Sequence, residues 1–412
     1  MSDTKDDSQR GPLFFIFITV MINSMGIGLI MPVMPDLLQD LLGGSESASI
    51  GQAAAWGGWL TMSFALMQFL FSPTLGNLSD RFGRRPVLLI SLAVMCIDYI
   101  VMALTPSLAL LFVARIIAGI SASTFSAAKA FIADISPPEK RAQNFGMTGA
   151  AFGVGFILGP ALGGIVGELG PRMPFFAAAA LAAANFAFGW FVLPESLKAE
   201  NRRAFELKRA NPFGVARQVL KYPPVAWMLT AVFIYNLSHY VYPVIWSYYA
   251  KAQFDWSPFD IGLSLAAVGV GFAFVQGYLI RAIIPRFGEV KTAIAGFTLD
   301  VIALTGLAFA TKGWMVYALI PFNSLSALLA PAMQGLMANR IPDDAQGELQ
   351  GAVSSLSSLS FVLTPPMMSQ IFFTFTEPGA PVDFPGAPFL AAAGFSALAL
   401  IPFVIGVRWK RQ

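Results

Sequence analysis

The chain has 412 residues, 56% of them hydrophobic and only 12% charged, with a mean hydropathy of +0.66. Soluble domains carry about 25% charged residues, so the solvent for most of this sequence is lipid. A net charge of +3, a single cysteine (Cys96) and a single histidine (His239) exclude a nucleic-acid face, a disulfide framework and a Cys- or His-rich metal centre.

The amino terminus is polar through Gly11, with Asp3, Asp6 and Asp7. It lacks the basic region and small-residue cleavage site of a signal peptide, so the first apolar run reads as a retained helix. A hydrocarbon core of about 30 Å takes roughly 20 apolar residues of helix to cross. Runs of that kind predict twelve spans: 13–35, 52–75, 86–105, 108–131, 145–167, 174–193, 225–248, 260–281, 291–310, 313–337, 349–373 and 386–407. The eleventh is the weakest, because Gly351 to Leu359 is rich in Ser.

The basic residues orient these spans. The termini and the even-numbered connections hold 21 of the 26 Lys and Arg, whereas the other side holds only Arg172, Lys251 and Lys312. That bias puts both termini in the cytoplasm. A polar central loop, 194–224, divides the chain into a first half (1–193) and a second (225–412) of six spans each. The halves echo one another: Arg81-Phe82-Gly83 recurs 205 residues later as Arg286-Phe287-Gly288, and at the same offset Pro137, Gln143 and Gly146 match Pro342, Glu348 and Gly351. The fold expected is all-α and integral to the membrane: twelve transmembrane helices in two pseudo-symmetric six-helix bundles.

Gly76 to Pro86 stands out as a connection between the second and third spans, with Asp80, Arg81, Arg84 and Arg85 packed between Gly76, Gly83 and Pro86. In the second copy Pro285 stands where Asp80 would be, and Glu289 and Val290 replace Arg84 and Arg85.

Ionisable groups deep in a bilayer are costly and mark function by default. At 1.5 Å per residue, Asp98 lies roughly 18 Å from the cytoplasmic edge of its helix, Asp300 about 14 Å in, and Arg115 about 12 Å from the outer edge of its own. With Asn23 they make one expected mid-membrane layer, where alternating carriers place substrate and coupling ions. Asp98 and Asp300 read as the proton-coupling acids with Arg115 tuning Asp98, and a static Asp98–Arg115 pair fixing two helices is the alternative. Asp300 has no basic partner at its depth in the second half, and a carboxyl in that setting can carry a proton at near-neutral pH. Lys129 reads as a snorkelling cation, as a partner of Asp134 or Asp80, or as a contact for an anionic substrate. In the fifth span, Gly155, Gly159, Pro160, Gly163 and Gly164 describe a kinked helix that packs closely on another. In the seventh, Asn236, His239 and Tyr240 would line a polar cavity, with His239 either a packing residue or a proton relay. Gln276, Asn323 and Gln334 are further cavity candidates. No catalytic set, zinc spacing or Gly-rich phosphate loop is present, so the reading is not an enzyme and not an ATP-driven pump. No cofactor is expected beyond protons as the coupling ion.

Gly76-x-Leu78-x-Asp80-Arg81-x-Gly83-Arg84-Arg85-Pro86 resembles the motif between helices 2 and 3 of major facilitator superfamily transporters. Arg115-x-x-x-Gly119 is similar to that superfamily's fourth-helix motif, and Gly155-x-x-x-Gly159-Pro160-x-x-Gly163-Gly164 to the fifth-helix motif of its antiporters. A closer resemblance covers nearly the whole chain. Gly26 to Pro35, Leu78 to Leu89, Pro174 to Ala180, Leu193-Pro194-Glu195-Ser196 and Gln346 to Gly351 all look like the tetracycline-efflux proteins of Gram-negative bacteria.

That resemblance implies a drug:proton antiporter of the inner membrane that exports tetracycline as a divalent-cation complex. It aligns Asp98 and Asp300 with family acids, Arg115 with the fourth-helix arginine, and Asp80, Arg84 and Asp134 with a cytoplasmic charge network that latches the outward-open state. Expected partners are a small-molecule substrate bound between the halves and the bilayer, with no nucleic acid and with the monomer as the working unit. The chain departs from the family at Asn23, where a helix 1 acid is usual, at Lys129, at His239 and Tyr240, and at Phe272. Losing one membrane acid changes the cavity charge by one unit, and together with Lys129 this suits an anion. A carrier of a native metabolite or organic anion is therefore the rival reading. A non-transporting receptor or scaffold is a remote one.

Overall fold

The computed structural model describes residues 3–43, 48–122, 124–205, 222–342 and 345–408, and their regular structure is helical. Residues 206–221, most of the expected central loop, lie outside the described residues. An apolar chain in lipid must satisfy its backbone within each segment, and a helix does so alone.

The helices in order are α1 (Asp3–Ile30), α2 (Met34–Leu41), α3 (Ile50–Phe82), α4 (Arg84–Leu104), α5 (Leu108–Ser121), α6 (Thr124–Ile135), α7 (Pro138–Gly167) and α8 (Met173–Val192). They continue as α9 (Pro223–His239), α10 (Val241–Phe254), α11 (Pro258–Phe274), α12 (Ile280–Phe287), α13 (Glu289–Ala308), α14 (Gly313–Ser326), α15 (Leu329–Ala338), α16 (Gln346–Thr376) and α17 (Ala387–Arg408). Among the described residues, 10 stretches are long and apolar enough to cross a bilayer. The chain is an all-α integral-membrane protein.

The second and fourth expected spans are not among those 10. Helix α3 has the length, 33 residues, but Gln52, Gly57, Gly58, Thr61 and Gln68 dilute its apolar character. The fourth is split into α5 and α6 around Ala122, whose ψ of 65° leaves the helical region. Its freed carbonyls are satisfied by side chains: Ser91 Oγ donates to Ser121 O at 2.7 Å and Gln68 Nε2 to Ala122 O at 3.3 Å.

The expected loop at Gly76 to Pro86 is not a loop. Helix α3 runs through Pro73 to Phe82, α4 begins at Arg84, and Gly83 alone lies between them. A single residue can turn the chain because Gly83 has φ of 108°, open only to glycine at no cost. Gly288, 205 residues on, has φ of 75° and likewise immediately precedes a helix, α13.

The chain divides into two compact units. The first comprises Met1–Leu37, Ser63–Pro212 and Ser257–Ala266, around a core that includes Phe15, Ile16, Leu88 and Phe131. The second comprises Leu38–Met62, Phe213–Trp256 and Ala267–Gln412, with Met228, Phe297, Leu329, Met333 and Phe403 in its core. Each unit thus recruits a short stretch from the other sequence half.

Within the first unit α7 lies flush against α1. A side chain at Gly155 would strike Met21 O and Met25 N, at Gly159 Met25 O, and at Gly163 Leu29 O. One turn round, Gly164 meets Pro258 and Phe259 at the start of α11, and Gly262 meets Pro160 O. Lipid offers no hydrophobic drive for helix pairing, so backbone approach through small residues supplies the contact.

Candidate functional site

Side chains gather at three places. At the α3–α4 junction Arg84 is the hub: it pairs with Asp80 at 2.5 Å and with Asp134 of α6 at 3.1 Å, and its Nη1 donates to Ser79 Oγ at 2.5 Å. Arg85 donates to Trp190 O at 2.7 Å and stacks on that indole. Arg81 is exposed and lies over the Phe82 ring. Gly76 closes no contact, since a side chain there would meet nothing within 4 Å.

Two residues not foreseen as functional complete this cluster. Glu195 accepts hydrogen bonds from the amides of Arg84 (2.8 Å) and Arg85 (3.3 Å), and Ser196 Oγ donates to Asp134 Oδ2 at 3.1 Å. A helix start leaves its first N–H groups without partners. Gly83 has no side chain to cap them, so a carboxylate from beyond α8 does so, favoured by the helix dipole. The sequence signals the need, a glycine in the capping position of a helix, but not which acid meets it.

The second copy keeps the pairing and changes its chemistry. Glu289 stands 205 residues after Arg84 and Asn339 205 after Asp134, and Asn339 Nδ2 donates to Glu289 Oε2 at 3.3 Å.

The second place is inside the first unit. Asp98, 4% exposed, forms an ion pair with Arg115 through both oxygens, with Nε–Oδ1 at 3.2 Å. Arg115 also lies over the Phe64 ring, 5.3 Å from its centroid, and Gly119 packs on the Phe64 carbonyl one turn away. Asn23 is buried in α1, in the same unit. Lys129 is exposed on α6.

The third place is inside the second unit, around Asp300 of α13, which is 0% exposed. Ser326 Oγ lies 3.4 Å from Asp300 Oδ1 and donates to the Asn323 carbonyl at 2.7 Å. Among the described residues, Asp300 Oδ2, Tyr242 Oη and the Asn323 amide oxygen have no hydrogen-bond partner. His239 is stacked on Tyr235 and Phe272 and meets Tyr242 edge-on, while Asn236 donates to Ser357 Oγ at 2.9 Å. Tyr240 packs on Phe361. Gln276 stands apart: it is exposed, in a π-helical stretch Val275–Leu279. Gln334 is also exposed and bonds Gln350. A carboxylate without a counter-charge is far costlier to bury than a carboxylic acid, so the Asp300 pocket can accept a proton or a cationic group, whereas Asp98 is already neutralised by Arg115.

The helices of Asp98 (α4) and Asp300 (α13) are continuous, whereas those that carry Asn23, Arg115, His239 and Asn323 are interrupted. The first, fourth, seventh and tenth expected spans break at 31–33, Ala122, Tyr240 and 327–328. Ala122 and Ala327 are 205 residues apart, so the break itself repeats. Interrupted helices at corresponding positions of two halves mark binding sites in carriers.

The sequence model of the Major Facilitator Superfamily matches residues 16–365 and, in a second alignment, 228–412. The tetracycline resistance protein, class C, of Escherichia coli is 42% identical over 360 residues, covering 87% of this chain and 89% of that protein. The quinolone resistance protein NorA of Staphylococcus aureus (strain COL) is 28% identical over 397 residues, 95% of this chain and 96% of its own. Among solved structures, the nucleoside transporter NupG superposes with a TM-score of 0.78 at 13% identity, covering 97% of this chain and 99% of that one. The human organic anion transporter MFSD10 does so with a TM-score of 0.68 at 24% identity, over 96% and 99%. At those identities the two structures speak for the fold alone. The chain belongs to the Major Facilitator Superfamily, as a multi-pass membrane transporter and not an enzyme, and is kin to its tetracycline and multidrug resistance proteins.

Proposed function

We propose that the chain is a proton-coupled antiporter that exports small amphipathic, tetracycline-like molecules across the bacterial inner membrane by alternating access. The observation that carries this reading is the Asp300 pocket, a fully buried carboxylate with one oxygen near Ser326 and the other without a hydrogen-bond partner among the described residues. A proton and a cationic group of the substrate, or its divalent-cation complex, compete for that charge. Protonation weakens substrate binding and permits the return step, which is antiport. Asp98 with Arg115 holds its helices and tunes the site. Asn23, Asn236, His239, Tyr240 and Asn323 contribute polar contacts to substrate, and the Asp80–Arg84–Asp134 cluster forms and breaks as a latch during the cycle.

The topology proposed with it has twelve spans in two six-helix bundles, both termini cytoplasmic and the monomer as the working unit. Helix α3 supplies the second span and α5 with α6 a broken fourth. In everted vesicles with a proton gradient, tetracycline with Mg²⁺ is expected to accumulate and to leave when an uncoupler is added. Accumulation indifferent to the uncoupler contradicts coupling.

Asn23 and the exposed Lys129 favour a second reading, export of an organic anion, since the one lacks a family acid, the other adds a cation, and together they make the pathway more positive. Uptake of a simple aromatic carboxylate in the same vesicles, with no uptake of tetracycline, selects it.

A further inference from the structure

An apolar groove of about 560 Å³ opens beside the α3–α4 junction, walled by Leu75, Leu78 and Phe82 of α3 and by Pro86, Val87 and Ile90 of α4. Its floor has two serines, but Ser91 Oγ is already donated to the Ser121 carbonyl at 2.7 Å. The rest of the lining is apolar apart from Ser121, which suits a hydrocarbon chain better than a polar ligand. Phe82 and Ile90 on its rims are 52% and 60% exposed. From Leu75 to Phe82 the groove follows α3 for about 10 Å, at 1.5 Å per residue.

A cation stands at its end. Arg84 is consumed by Asp80 and Asp134, and Arg85 by the Trp190 carbonyl and ring. Arg81 has no acid partner among the described residues; its guanidinium lies 5.1 Å from the centroid of Phe82, the groove's own rim. Asp80, the nearest acid in sequence, is held by Arg84. We propose that this groove holds one acyl chain of an anionic phospholipid, with its phosphate on Arg81. Charge selects the occupant: the groove accepts any apolar chain, and Arg81 prefers the chain whose head is negative. A bound lipid would seal the side of the junction on which the proposed latch works, but its binding does not depend on that reading.

The test is native mass spectrometry of the detergent-purified full chain after exchange into mixtures of phosphatidylglycerol and phosphatidylcholine. Phosphatidylglycerol is expected to be retained preferentially. Arg81→Gln should cut that preference about fivefold, one basic side chain's attraction for an anionic headgroup, while total lipid retained stays the same. Ile90→Trp, which fills the groove, should lower retention of both lipids. An unchanged preference in Arg81→Gln, or unchanged retention in Ile90→Trp, overturns the proposal. Should either variant fail to fold, phosphatidylglycerol carrying a photoreactive group on its acyl chain is applied to the unaltered protein. Labelling within 75–91 supports the groove; labelling elsewhere, or labelling displaced by tetracycline, overturns it.

Discussion

Glu195→Ala removes the carboxylate that caps α4. Of the first amides of that helix, Arg84 and Arg85 point at Glu195 and Pro86 has none, so the substitution strips the partners from the start of the helix. Hydrogen bonds to charged groups contribute about 1.5–3 kcal/mol and cap substitutions cost about 0.5–2 kcal/mol. Glu195 is exposed, which places the loss toward the overlap of the two ranges, about 1.5 kcal/mol, or roughly tenfold in the local opening equilibrium. Hydrogen exchange resolved to residues 84–88 reads that directly. Glu195→Gln keeps a neutral acceptor, and neutral bonds are about half as strong as charge-assisted ones, so its effect should be intermediate. High salt should narrow the gap between the unaltered chain and Glu195→Gln, because the charge–dipole part is screened. Exchange at 84–88 unchanged in Glu195→Ala, or equal loss in Ala and Gln, would refute the capping role.

Gly159→Ala drives a methyl into the Met25 carbonyl and should destabilise by about 1–3 kcal/mol, while Gly153→Ala, which meets nothing within 4 Å, should leave the melting temperature in detergent unchanged or raise it. Asp98→Asn strands the Arg115 guanidinium in a half-dry setting at a cost of about 3 kcal/mol. Adding Arg115→Gln should recover at least half of that in a thermal double-mutant cycle, and no recovery argues against the pair. At the second junction, Asn339→Asp sets an acid 3.3 Å from Glu289 and should cost about 0.5–1 kcal/mol. Glu289→Arg in the same chain rebuilds the pairing of the first junction and should restore the loss.

Much of this architecture was legible in the residues. Apolar runs of bilayer length match 10 of the twelve expected spans, and the depths of Asp98 and Arg115 set those two at one level of the membrane, where they pair. The 205-residue repeat located Gly83 and Gly288, and both take the positive φ that a one-residue turn needs. What was not legible follows from the same physics. Hydropathy cannot see the break at Ala122, because the bonds from Ser91 and Gln68 that satisfy its carbonyls come from other helices and do not alter apolarity. The stretch Gly76–Phe82 looks like a loop by charge and glycine content, yet continues α3, because a polar helix end is as stable at a membrane surface as a loop. Glu195 lies more than 100 residues from the amides it caps, and no periodicity reports such a contact. Around Asp300, the missing partner could be read from the shortage of basic residues, but Ser326 and Tyr242 could not, since serines and tyrosines are common in these spans.

The central claim is that Asp300 carries the charge exchanged between proton and substrate. It is tested most directly by substrate-driven proton movement in everted vesicles, with tetracycline and Mg²⁺ added to a preset pH gradient and the amount of protein in the membrane matched. The unaltered chain should release protons on substrate addition, Asp98→Asn at matched levels should retain part of the signal, and Asp300→Asn should abolish it. Proton release from Asp300→Asn equal to that of the unaltered chain would contradict the account.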